Sequence, residues 1–517
     1  MIFFRFFRLL KKKSSPSVFG DLLHVILALI PPWVRNSDLK KSWSNKKRFI
    51  GVGIRMMSKE MKQWVAHGLN FKPGELSLAF LSGLFYFCVL CGYFFLRPVR
   101  EAMGVSGGMG QLRWLFLMTS VVSLILVLLF GGVVSRLDRR RFIPIGYLFV
   151  VVCLIGFSVL LVVDAGAGGG LIGTDAETSL SRGVGYTFYA WLSAINLFVN
   201  SLFWAFMVDI FNVDQGKRMF AFIGIGGTIG ALVGGWATNV ISGMTDSVYL
   251  PVGLMLTGAG FFAVAIVVML ALDRAALRSE HSSLTKDYTT STIPSGERIG
   301  GGFWDGATAV VQSPYLLGIA AFIVFLAISN TLIYFTQANI ILDNTDTFSQ
   351  RVGGFAQFDA LAQGATLITQ IFITTRVIKR LGIGWTLAIL PVVTVMGFAV
   401  LAIWPLYGVM ALFQAVHRAT RYAISRPARE SLFSVVSPAE KYKAKPLIDV
   451  FLYRGGDVAG AGIQSALSAL GTMTLMAAAT VPFAAIWCVL SIALGRAQQR
   501  KDPAMEQVTG SSATDAS

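Results

Sequence analysis

Long apolar runs recur along the chain with short polar breaks between them. Each approaches the ~20 residues that a helix needs to cross a bilayer core. Six fall near 76–96, 112–134, 142–164, 186–208, 219–243 and 249–272. Six more fall near 315–341, 352–375, 383–403, 406–424, 446–468 and 472–495. The pattern predicts an all-α membrane protein of about twelve transmembrane helices, arranged as two six-helix bundles.

The breaks predict the organisation. A polar stretch rich in Ser, Thr, Pro and Gly occupies 273–305 and reads as a linker between halves. The expected units are a basic cytoplasmic extension over 1–75, a first bundle over 76–272, a linker over 273–314, a second bundle over 315–495 and a tail over 496–517. Within the extension, 18–33 is apolar but short, is interrupted by Asp21 and His24, and ends at Pro31 and Pro32, so it makes a poor span. The basic lead-in over 5–13 imitates a signal peptide without a small-residue cleavage site after it. Met56, Met57 and Met61 offer later starts, and residues 1–55 are expected to be dispensable.

Composition agrees with lipid as the solvent: 55% of residues are hydrophobic and 14% charged, against about 25% charged in soluble domains. The net charge of +17 raises nucleic acid as a partner. Much of that charge lies within 5–55 and in short loops, with no recognition motif beside it, so topology accounts for it and no nucleic-acid partner is expected. Cys88, Cys91, Cys153 and Cys488 all sit inside apolar runs, which argues against a disulfide framework. The C-x-x-C at Cys88 and Cys91 has no second pair or neighbouring histidine, so it reads as small buried residues; no metal or other cofactor is expected.

Loop charge orients the spans, because cytoplasmic loops concentrate Lys and Arg. The loop RLDRRR at 136–141, Lys217 and Arg218, the central linker, RVIKR at 376–380, the stretch 418–445 and the tail after Arg496 fall on one side. The acidic or neutral segments 165–185, 244–248 and 343–350 fall on the other. Both termini are then cytoplasmic. The first loop breaks the rule, with Arg97, Arg100 and Arg113 against Glu101 on the non-cytoplasmic side.

Ionisable groups at membrane depth mark pathways more often than scaffolding. Here they are Arg97, Arg100 and Glu101 after the first span, Asp209 after the fourth, Asp359 in the eighth, His417, Arg418 and Arg421 in the tenth, and Asp449, Arg454 and Asp457 in the eleventh. The excess of arginine suits an anion, since guanidinium grips phosphate or carboxylate through parallel hydrogen bonds. Arg454 follows Asp449 by five residues, too far round a helix for an ideal pair, and is expected to be free for substrate. Glycines recur at Gly226, Gly230 and Gly234 in the fifth span and at Gly455, Gly456, Gly460 and Gly462 in the eleventh. A strand before them would be needed for a nucleotide fingerprint. Four-residue spacing predicts close helix packing instead.

Several segments carry a resemblance. GGVVSRLDRRR at 131–141 resembles the loop motif of the major facilitator superfamily, and RVIKRLG at 376–382 looks like its degraded second copy. YFFLRPVRE at 93–101, FWAFMVDIFNVDQGKRMFAFIGIG at 203–226 and RPARESLFSVVSPAEKYKAKPLIDVFLYRGGDVAGAGIQ at 426–464 resemble the nucleotide translocases of plastids and intracellular bacteria, which exchange ATP for ADP. The resemblance implies a carrier without enzymatic activity, monomeric, embedded in membrane lipid at the bacterial inner membrane, with a small anionic substrate such as ATP or ADP. For substrate binding it implies Arg97, Arg100, Glu101, Asp209 (a glutamate in that family), Lys445, Asp449 and Arg454. Glu430 and Gln464 match as well. Asp457 stands where that family has a lysine, and Tyr334 where it has an acid. A less cationic site attracts a triphosphate less, which leaves another anionic substrate as an alternative. A proton-coupled permease or exporter of the same fold, with Asp359 or Asp457 as its proton site, is the runner-up.

The charge bias makes one prediction that a fusion can read. A reporter placed after Arg496 or inside 273–305 should be active only on the cytoplasmic side. Activity outside the cell would overturn the orientation.

Overall fold

The computed structural model describes residues 75–134, 139–211, 213–283, 308, 310–436, 444–445, 447–469 and 473–501. Helices make up almost all of them, and the one β feature among the described residues is an isolated bridge between Gly170 and Glu177. The first six are α1 (Glu75–Ser106), α2 (Met109–Val134), α3 (Arg139–Gly166), α4 (Ser179–Ile210), α5 (Val213–Met244) and α6 (Leu250–Ser283). After 284–307, outside the described residues, come α7 (Pro314–Asp343), α8 (Phe348–Phe372) and α9 (Thr374–Ile403). α10 starts as Tyr407–Ala419, passes through the π-helical Thr420–Ser425 and ends as Arg426–Leu432. α11 starts π-helical over Leu447–Leu452 and continues as Tyr453–Ala469, and α12 is Met473–Lys501.

Eight of these, α1, α3 to α7, α9 and α12, contain stretches long and apolar enough to cross a membrane, and Met109–Ile125 of α2 is a shorter apolar helix. α8 falls outside that set because polar groups interrupt it, and α10 and α11 because their π-helical turns leave α-helical stretches of 13 and 17 residues. Arg351, Asp359 and four glutamines lie on α8, and His417, Arg418 and Arg421 fall in α10. Large apolar side chains face outward along the apolar rods, among them Val163, Trp236 and Val489. An outer surface this apolar belongs in hydrocarbon. The expected extension over 1–55 lies outside the described residues, as does most of the linker.

The spans are longer than their apolar cores. α1 continues ten residues past the expected end at 96, through Pro98, to Ser106. Proline removes one backbone donor, which neighbouring helices can compensate inside a bundle. Arg97, Arg100 and Glu101 are therefore residues of a buried helix and not of a loop, which removes the anomaly in loop charge. RVIKRLG at 376–382 is helical rather than a loop, and the chain turns at Gly382, whose φ of 72° favours glycine. Capping boxes at Thr178 with Ser181 and at Thr347 with Gln350 begin α4 and α8.

Glycines set the helix spacing. A Cβ on Gly226 would lie 2.6 Å from the Gly83 carbonyl oxygen of α1, one on Gly230 2.3 Å from that of Phe87, and one on Gly234 2.6 Å from that of Cys91. In the same way Gly456 and Gly460 of α11 meet α7 at Val324 and Ile328. The two glycine-rich helices thus seat against the first helix of their own halves, as small-residue packing requires. One end of the bundle is stitched across the chain: Arg351 Nη1 donates to Ser106 Oγ at 2.9 Å, Ser349 Oγ to Asp246 Oδ1 at 2.6 Å, and Arg113 Nη1 to Ser465 Oγ at 3.1 Å.

Gly230→Ala should cost about 1–3 kcal/mol through overpacking and lower the melting temperature of the solubilised protein. Gly224, six residues earlier on α5, has open space around it. Gly224→Ala should melt no lower than wild type, because alanine is the better helix former. Equal melting of both variants would refute the close seam.

Candidate functional site

The buried end of α1 gathers charged partners from α8 and α10 and polar ones from α4 and α7. Arg97 Nη1 donates to Asp359 Oδ1 of α8, and Arg418 Nη1 of α10 donates to the same oxygen at 2.5 Å. Arg97 Nε also faces Glu101 Oε1 at 3.6 Å, one turn along α1. Arg100 donates from Nη2 to Glu101 Oε1 and from Nη1 to Ser193 Oγ at 3.1 Å, with its guanidinium 5.3 Å from the centre of the Tyr189 ring. Tyr334 of α7 donates its hydroxyl to Glu101 Oε2 at 2.7 Å, and its oxygen lies 2.9 Å from that of Tyr189. Glu101 is 1% exposed and Asp359 2%. Such burial is tolerable for a charge only when it is paired.

A second group continues along α10 and α11. Arg421 donates to the Tyr453 hydroxyl at 2.6 Å and lies 5.0 Å from the Tyr422 ring centre. Arg454 donates to Asp457 Oδ2 at 3.1 Å, and Thr331 of α7 donates to Asp457 Oδ1 at 3.3 Å. Arg418 and Arg421, three residues apart on α10, place the two groups next to each other. The π-helical turns of α10 and α11 fall in this region, between Arg418 and Arg454 in sequence. Extra residues of this kind re-aim a helix face and recur at functional sites.

The sequence expectations fare unevenly. Arg97, Arg100 and Glu101 come together with Asp359, and Arg454 lies with Asp457. Arg454 is not free of an acid as expected; its partner is Asp457, three residues on, because i to i+3 shares a face and i to i−5 does not. Lys445 and Asp449 belong to a separate set. Lys445 Nζ donates to Glu430 Oε2 at 2.6 Å, and Arg429 lies 3.3 Å from Glu430 and 3.8 Å from Asp449. Asp209 stands exposed in the last turn of α4. The side chains of Lys217 and Arg218 lie outside the described residues. Sequence reasoning missed Ser193, Tyr189 and Tyr453, which carry no charge to signal depth, and read Tyr334 only as a lost acid. No group of three or more metal-binding side chains occurs among the described residues.

Comparison with known proteins follows the same lines. A family model described as TLC ATP/ADP transporter matches residues 179–496. The ADP,ATP carrier protein 1 of Chlamydia pneumoniae is 25% identical over 338 residues, which cover 58% of this chain and 64% of that protein. The chain thus matches just under two thirds of that curated relative's length. Among solved structures, a bacterial homologue of the iron transporter ferroportin in an inward-facing state aligns with a TM-score of 0.54 at 12% identity, covering 81% of this chain and 99% of that one. A mutant of the nucleoside transporter NupG aligns at 0.50 and 14%, covering 82% and 100%. These likenesses establish the fold, that of major facilitator transporters.

Tyr334 is the point in the network most open to a clean test. Tyr334→Phe would leave Glu101 Oε2 buried without its donor, at a cost of about 1–3 kcal/mol. Thermal unfolding should register it, with Tyr407→Phe as comparison because the Tyr407 bond to Gln357 is exposed. If both variants lost equally little, the Tyr334 bond would not be holding Glu101.

Proposed function

We propose that this chain, which belongs to the TLC ATP/ADP transporter family, is an alternating-access carrier that exchanges anionic nucleotides of the ATP and ADP class. The observation that carries the reading is the charge of the buried network. Arg97, Arg100, Arg418 and Arg454 bond to Glu101, Asp359 and Asp457 while Arg421 bonds to Tyr453, five guanidiniums against three carboxylates. An excess of fixed positive charge at membrane depth needs a counter-charge, and a polyphosphate supplies it in the geometry that guanidinium prefers. The arginines come from α1, α10 and α11, so one anion could bridge both halves of the chain. Strict exchange would follow if the site crosses easily only when the anion neutralises it.

The reading places the carrier in the bacterial inner membrane as a monomer of two six-helix halves with both termini in the cytoplasm, on the strength of the Lys and Arg asymmetry. It assigns no enzymatic role. Arg97, Arg100 and Arg454 are its binding cations, with Glu101 as a positioning group. Lys445, Asp449 and Asp209 are proposed to act toward the substrate at the mouth rather than in the buried network.

Purified protein in liposomes preloaded with ADP should take up labelled ATP, with no need of a proton gradient. Arg97→Gln and Arg454→Gln should abolish that uptake, measured on protein first shown to be folded because each variant takes a cation from a buried carboxylate. Lysine at either position should restore only part, because it keeps the charge and lacks the fork. Wild-type rates in both glutamine variants would defeat the anion-site reading. Uptake that needed a proton gradient and no internal ADP would favour a proton-coupled permease with Asp359 or Asp457 as its proton site.

A further inference from the structure

We propose that Asp359 is a built-in stand-in for the substrate anion, a carboxylate that holds Arg97 and Arg418 until an incoming phosphate displaces it. The inference rests on reading the cationic cluster as an anion site.

The three buried acids of the network are not used alike. Glu101 has both oxygens engaged, Oε1 by Arg97 and Arg100 and Oε2 by Tyr334. Both oxygens of Asp457 are engaged as well, Oδ1 by Thr331 and Oδ2 by Arg454. At Asp359, Arg97 and Arg418 converge on Oδ1 alone, and Oδ2 has no hydrogen-bond partner among the described residues.

This is the weakest way to hold two guanidiniums. The best arrangement between guanidinium and carboxylate uses two parallel bonds to two oxygens. Two cations on one oxygen also repel each other, and a single carboxylate cannot neutralise both. The cost of a buried, unsatisfied Oδ2 adds to this. A phosphate group offers three outward oxygens and up to two charges, enough to meet each fork separately. Each guanidinium has five N–H donors, and the bonds to Asp359 use only Nη1 of each. The exchange therefore runs toward better geometry on both arginines.

Displacement has a structural consequence. Arg97 is on α1, Asp359 on α8 and Arg418 on α10, so one carboxylate ties three rods. A bound phosphate would tie α1 to α10 and release α8. A ligand that bonds differently in two arrangements shifts the balance between them, which gives occupancy a direct handle on helix position. Glu101, saturated by its own helix and by Tyr334, stays in place in both.

The test measures binding to the full-length protein in nanodiscs by calorimetry, with ADP and with inorganic pyrophosphate as probes. Asp359→Asn removes the internal competitor and keeps the shape; both probes should bind roughly tenfold tighter or more than to wild type. Asp359→Glu keeps a competing charge and should not reproduce that gain. Unchanged or weaker binding in a folded Asp359→Asn protein would overturn the proposal while leaving the nucleotide reading intact. Should Asp359→Asn fail to fold, Arg418→Gln decides, since Asp359 keeps Arg97. It should weaken both probes roughly tenfold or more, and unaltered affinity would overturn the proposal. Binding of pyrophosphate but not ADP to wild type would defeat the nucleotide reading, and tighter pyrophosphate binding to Asp359→Asn would still bear out the displacement. Binding of neither probe to wild type or Asp359→Asn would overturn both.

Discussion

A charge inside a bilayer must be paired or it will not stay, and the arrangement of α1, α7, α8, α10 and α11 follows from that constraint. Desolvating each ion costs several kcal/mol even after relaxation. Glu101 at 1% exposure and Asp359 at 2% can remain as carboxylates only where guanidiniums from α1 and α10 reach them. Those contacts fix where the rods sit along their length, because a one-turn slip would separate Arg97 from Asp359. The network thus sets the axial register of α1 against α8 and α10, while the same excess of arginine makes the region receptive to an anion.

Lateral spacing has a different origin. Between helices in lipid there is no hydrophobic drive to associate, so close approach depends on small residues and dispersion. α5 comes onto α1 through Gly226, Gly230 and Gly234, and α12 meets α9 where a Cβ on Gly495 would lie 2.3 Å from the Gly384 Cα. Apolar side chains fill what remains, as where Phe85 packs on Phe203 at a centroid distance of 5.1 Å. Arg351 on Ser106 and Ser349 on Asp246 then close one end of the bundle with polar bonds. Polar bonds of this kind can be exchanged for bonds to water, whereas the close glycine contacts have no such substitute.

Much of this was legible in the sequence, for reasons that also explain what was not. Apolar runs report a span whether its side chains meet lipid or other helices, so α1, α3 to α7, α9 and α12 could be read directly, and glycine spacing reported the seams. Apolar length reports only the greasy part of a helix. That is why α1 reads as ending at 96 although it continues to Ser106. The arginines of α1 and α11 stood out because charge at depth is rare. Their partners did not follow, since nothing local shows that Arg97 meets Asp359, 262 residues away. Spacing arguments also assumed regular α-helix, and the π-helical turns at Thr420–Ser425 and Leu447–Leu452 break that assumption where the charges gather. Ser193, Tyr189 and Tyr453 were invisible for a simpler reason: neutral hydrogen-bonding residues are common in spans.

The two departures from the translocase pattern read differently once the contacts are known. An aspartate where those proteins carry lysine removes positive charge and adds negative, which by itself would repel a polyphosphate. Asp457, however, is bonded to Arg454 and Thr331, so its charge is already answered within the protein. Tyr334 replaces an acid, which restores one unit of positive balance, and its hydroxyl donates to Glu101 rather than competing for the arginines. Taken together the two exchanges lower the net positive charge of the network by one unit, not two. Five guanidiniums still outnumber three carboxylates. The surplus is carried by guanidiniums on α1, α10 and α11, so how the helices hold them matters as much as how many there are.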